Sequence, residues 1–94
     1  MAELYWEPEA RAAYEALDDV PPRLADAVEA VLDLLVADPG DPAVRRRSRR
    51  TSKGDAIWKV DIRRSVEDWT VFWIVHPEQP GDALILYLGP SEYR

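Results

Sequence analysis

Apolar positions change their rhythm twice along this chain. Residues 2–6, AELYW, alternate loosely and predict a short first strand. Pro8 then suits the first turn of a helix, where its missing N–H costs nothing. In EARAAYEALDDV, Ala10, Ala13, Tyr14 and Leu17 share one helical face. The DVPP stretch breaks this helix. A second begins at Pro21–Pro22, and Leu24, Val28, Val31, Leu32 and Leu35 form its apolar stripe. DPGDP ends it, because proline and glycine do not continue a helix cheaply.

Downstream the period falls to two. In AIWKVDI, Trp58, Val60 and Ile62 fall on one face, and Lys59, Asp61 and Arg63 on the other. SVED is the expected hairpin turn. In WTVFWIV, Val71, Trp73 and Val75 alternate with Thr70, Phe72 and Ile74. HPEQPGD is a loop and ALILYLG a third strand of the same kind. Residues 39–56 are expected to be one long irregular segment. A run of helices followed by a run of strands predicts an α+β domain spanning residues 1–94. Its expected architecture is an N-terminal strand, a two-helix hairpin and a three-stranded antiparallel meander. Together these would form one twisted antiparallel sheet of about four strands, with helices on one face.

Ninety-four residues with an apolar fraction of 47% suit one small core. Four Trp and four Tyr bring large buried areas to it. The chain has no cysteine, which removes disulfides and thiolate zinc sites. The first residues show no positively charged stretch ahead of an apolar one, and no apolar run is long enough to span a bilayer. The expected setting is therefore cytoplasmic, without a membrane partner. His76 is the only histidine, with no cluster of possible ligands around it, so no metal and no cofactor are expected.

The formal net charge of −6 is unevenly spread. Residues 1–42 hold eleven acids and two bases, whereas residues 43–94 hold seven acids and ten bases. RRRSRRTSK, residues 45–53, gathers Arg45, Arg46, Arg47, Arg49, Arg50 and Lys53 with no acid among them. Such a run reads either as a solvated loop or as a surface for a nucleic acid or an acidic protein segment. Arg63 and Arg64, on the apparent hairpin, are not accounted for by core packing.

Three stretches in this order resemble the RelE/ParE toxin superfamily of bacterial toxin–antitoxin systems: LYWEPEARAAYEAL, IWKVDIR with DWTVFWIV, and LILYLGPSEYR. The resemblance spans nearly the whole chain. It implies a compact α+β domain that either cuts mRNA on the ribosome or poisons DNA gyrase, and that an antitoxin chain neutralises. A catalytically silent binding module of the same fold is a further alternative. One position departs from the resemblance: Trp69-Thr70-Val71 stands where active relatives commonly read aromatic-Arg-Val, so a cation that would contact phosphate is a neutral hydroxyl here.

Metal-free RNA cleavage needs a base for the 2′-hydroxyl, cations for the charged transition state and an acid for the 5′-oxygen. The residue types that suit these tasks are Lys59, Arg63 and Tyr93, the last also on the resemblance to a C-terminal family tyrosine. The basic run, with Arg64 and Arg94, would hold nucleic acid or the antitoxin. The tryptophans of residues 58–75 are expected in the core.

Overall fold

The structure, a computed structural model, describes residues 2–45, 47–50, 56–62 and 68–91, residues 47–50 by their backbone alone. The chain begins with β1 (Leu4–Trp6), α1 (Pro8–Glu15) and a 3-10 turn at Leu17–Asp19. Then come α2 (Pro22–Ala37), a second 3-10 turn at Pro42–Val44, β2 (Arg47–Arg50), β3 (Ala56–Ile62), β4 (Trp69–Val75) and β5 (Ala83–Pro90). The α+β class follows the sequence expectation.

Local chemistry sets the helix ends. Pro8 occupies the first turn of α1, and the helix gives way at Ala16 to the tighter turn that buries Leu17. Val20 and Pro21 each precede a proline and are extended, which separates the helices. Leu24, Val28, Leu32 and Leu35 are the buried stripe of α2, and Val31 is half-buried beside it. The C-cap of α2, Asp38, is extended ahead of Pro39.

The strands form one mixed sheet in the order β1-β5-β4-β3-β2. β1 runs parallel to β5, and every other neighbouring pair is antiparallel. The expected three-stranded meander was too narrow, because a fourth antiparallel strand, β2, extends it. The expected irregular segment of residues 39–56 is corrected by the same finding, since it contains both the second 3-10 turn and β2. Arginine-rich sequence carries little intrinsic strand preference. Here the pairing partner supplies the order: Arg47, Ser48, Arg49 and Arg50 stand opposite Lys59, Trp58, Ile57 and Ala56. Charge on an outermost strand also discourages edge-to-edge pairing with another chain.

Register assigns the two sheet faces. Trp58, Trp73 and Ile85 align, as do Val60, Val71 and Leu88, and these residues meet the helices. Leu17, Leu24, Val28, Leu32 and Leu35 lie in one cluster with Val60, Ile62, Trp69, Val71, Trp73, Ile85 and Leu88. A bulge falls between the pairs Phe72–Tyr87 and Trp73–Ile85, leaving Leu86 as the extra residue. That insertion reverses the alternation of β5, so Ile85 and Leu88 both reach the core and Tyr87 takes the opposite face.

Candidate functional site

The face away from the helices carries the polar groups. Lys59 and Asp61 are two residues apart on β3 and therefore on the same side of it. Lys59 Nζ lies 3.5 Å from Asp61 Oδ1, and the two side chains are only 14% and 20% exposed. Thr70 stands opposite Asp61 in the ladder, and its Oγ1 donates to Asp61 Oδ1 at 3.3 Å. Ser91, just past β5, brings its hydroxyl to Thr70 Oγ1. Thr70 has a single hydroxyl proton, so with that proton on Asp61 the bond from Ser91 must run Ser91 to Thr70. The result is a line of polar contacts, Ser91–Thr70–Asp61–Lys59, crossing from the end of β5 over β4 to β3. Thr70 is the one polar residue buried among the described residues, at 1% exposure, and the two bonds satisfy its hydroxyl.

Aromatic groups flank this line. Phe72 and Tyr87 are register partners with ring centroids 6.0 Å apart. The Tyr87 hydroxyl donates to the Pro90 carbonyl at 2.7 Å. Gly89 makes room for it: a β-carbon at position 89 would stand 2.9 Å from the Tyr87 oxygen. This is the close approach for which glycine is required.

The structure treats the sequence-predicted residues unequally. Lys59 is placed on the helix-free face, as alternation required, but it is ion-paired rather than facing open water. Arg45 is placed elsewhere, on the core side. Its Nε donates to the Pro39 carbonyl at 2.7 Å, and its guanidinium lies 5.1 Å from the Trp58 ring centroid and 5.5 Å from that of Trp73. Trp73 is held from the same turn, its Nε1 donating to the Val44 carbonyl at 2.9 Å. Arg47, Arg49 and Arg50 are located by backbone alone, on the β2 edge. Arg46, Lys53, Arg63, Arg64, Tyr93 and Arg94 lie outside the described residues. Ile62 and Pro90 are both register partners of Trp69. The described strands that lead toward Arg63 and Tyr93 therefore end on either side of one residue.

Sequence reasoning did not single out Asp61, Ser91 or Tyr87, and it read Thr70 only as a lost charge. The signal for Asp61 was present in its two-residue spacing from Lys59. Those for Ser91 and Tyr87 were not, because their placement depends on register and on the bulge.

Among the described residues, no group of three or more His, Cys, Asp or Glu could hold a metal ion. No helix among them is long and apolar enough to cross a membrane. No protein-family model matches this sequence, and no curated protein matches it.

Proposed function

We propose that this chain is the toxin-like component of a type II toxin–antitoxin pair, a RelE/ParE-like domain that cuts mRNA on the ribosome without a metal and so inhibits translation. The observation that carries this reading is the polar line of Lys59, Asp61, Thr70 and Ser91 on the helix-free face. It runs toward the sheet end where the described parts of β3 and β5, the strands that precede Arg63 and Tyr93 in the chain, stop on either side of Trp69. The basic β2 edge adjoins it, with Arg47 opposite Lys59 in the ladder.

In this reading RNA lies across the helix-free face with its phosphates toward β2. The Lys59 ammonium has three donor protons, and one contact with Asp61 leaves capacity for phosphate oxygens. Asp61 fixes the position of Lys59 on β3, and Thr70 in turn fixes Asp61. Arg63 would stabilise the charge that develops on the phosphorus oxygens, and Tyr93 would act near the scissile bond. The remaining basic residues other than Arg45 hold the backbone or, in the absence of RNA, an acidic antitoxin segment.

One observation favours a second reading. Thr70 is buried and hydrogen-bonded where a phosphate-contacting cation is expected, and Asp61 partly neutralises Lys59. A silent binding module, or a gyrase-directed protein that needs no catalytic base, would tolerate both features.

Induced expression in a bacterium without the antitoxin separates these readings. Growth arrest with new mRNA 5′ ends, both abolished by Arg63→Ala, supports cleavage. Arrest with intact mRNA, filamentation and a DNA-damage response moves the assignment to gyrase. Normal growth from a folded protein leaves the silent module.

A further inference from the structure

A cleft of about 490 Å³ opens where β3 begins and β4 ends. Among the described residues its lining includes Arg45, Trp58, Ile74, Val75, His76, Pro77 and Pro80, and of the described lining only Arg45 and His76 can be cationic and none is acidic. The Ser91–Thr70 contact lies at the other end of β4, and none of Lys59, Asp61, Thr70 and Ser91 lines this cleft.

Both polar residues are arranged as donors. The Arg45 Nε is committed to the Pro39 carbonyl, and its guanidinium carbon lies 5.1 Å from the Trp58 ring centroid and 5.5 Å from that of Trp73. These contacts fix the guanidinium but leave its terminal nitrogens without a carboxylate partner among the described residues. A guanidinium fixed in this way presents a planar fork suited to a tetrahedral oxyanion. The His76 Nδ1 accepts the Glu78 backbone N–H at 3.1 Å. Its neutral ring therefore carries the proton on Nε2, which makes it a donor too. The ring is steadied by Tyr5, at 4.4 Å between centroids.

The remaining walls are apolar and in part flat: the Trp58 indole, two prolines and the side chains of Ile74 and Val75. The volume falls in the range of small-ligand sites, which pair mostly apolar walls with a few converging polar groups. The complementary ligand is one anionic head joined to a planar body. We propose that the cleft binds a nucleoside monophosphate, either free or as the phosphorylated end of an RNA, with the phosphate on Arg45 and His76 and the base along Trp58 and the prolines. This assignment does not rest on the nuclease reading, because it requires neither Lys59 nor cleavage.

The test is titration of the purified full chain at low salt with adenosine 5′-monophosphate, inorganic phosphate and adenosine, followed by calorimetry and tryptophan fluorescence. The monophosphate is expected to bind and to change the tryptophan emission, with phosphate and adenosine each weaker by about tenfold or more. Arg45→Lys keeps the charge but loses the fork, and His76→Phe keeps the ring against Tyr5 but loses the donor. Each is expected to weaken the monophosphate by about tenfold. A 5′-phosphorylated oligoribonucleotide binding more tightly than the mononucleotide assigns the site to RNA ends, and equal affinity assigns it to free nucleotide. No binding at millimolar monophosphate would overturn the proposal, as would binding that both folded variants leave unchanged. If Arg45→Lys does not fold, His76→Phe alone decides.

Discussion

Two tryptophans on the core face of β4 differ in one respect that stability measurements can isolate. Trp73 is fully buried, and its indole N–H donates to the Val44 carbonyl. Trp69 is 7% exposed, and its buried indole N–H has no partner among the described residues. Replacing either with Phe removes about the same volume from the core, and the void costs about 1–2 kcal/mol by analogy with other large-to-small changes. At Trp73 the change also leaves the carbonyl of a fully buried residue without its donor, which adds about 1–3 kcal/mol. At Trp69 it removes a donor whose unpaired burial was itself unfavourable by a similar amount, which offsets the void. Trp73→Phe should therefore cost about 2–5 kcal/mol and Trp69→Phe about 1 kcal/mol at most. Urea unfolding followed by far-ultraviolet circular dichroism reads both without relying on the altered fluorophores. In melting temperature the gap should reach roughly 10–20 °C for a domain of this size. Equal losses within about 0.5 kcal/mol, or a larger loss at Trp69, would refute the hydrogen-bond argument.

Three further outcomes follow from single contacts. Gly89→Ala would place its methyl 2.9 Å from the Tyr87 hydroxyl, so the far end of that side chain, which is bonded to the Pro90 carbonyl, must shift; chemical denaturation should show a loss of about 1 kcal/mol. Asp41 caps the turn that carries Val44, accepting the Ala43 N–H at 2.8 Å; Asp41→Ala should cost about 1 kcal/mol in the same assay. The Tyr14 hydroxyl is held above its ordinary pKa of 10.0, first by its hydrogen bond to Glu29 on α2 and then by burial. A raised folded-state pKa contributes stability that is complete below the unfolded value and is lost as pH rises through the folded one. Alkaline unfolding curves of the native chain should therefore lose stability above about pH 10, and Tyr14→Phe should remove that component of the loss.

The helices and the faces of β3 and β4 were legible because each rests on a local period. The α2 stripe from Leu24 to Leu35 and the alternation of Trp58, Val60 and Ile62 needed no tertiary information. β2 was not legible. A run of arginines has no periodic apolar signal, and its strand exists through pairing with β3. The parity of β5 was hidden as well, because the bulge at Leu86 depends on how β4 and β5 align. The site divides along the same line. Lys59 could be placed on the helix-free face from its own strand. The bond from Thr70 to Asp61 required the β3–β4 register, and the Ser91 contact required the end of β5. Thr70 had a sequence meaning only as a missing arginine; its burial and its two bonds give it a positive role in joining strands. Arg45 was grouped with its basic neighbours by composition, whereas packing separates it from them and sets it on tryptophan. His76 read as a loop residue and does follow β4 directly, but its ring contact with Tyr5 depends on β1 lying beside β5.

The proposed action of the helix-free face on RNA runs through Lys59. Its most direct test combines the purified chain with ribosomes carrying a defined mRNA and maps the 5′ ends by primer extension, comparing the native chain with Lys59→Ala and with a no-protein control. The expected result is new ends that require the ribosome, survive removal of divalent metal from the protein before mixing, and fall by about a hundredfold in the variant. Intact mRNA with the folded native chain, or equal cleavage by Lys59→Ala, would contradict it.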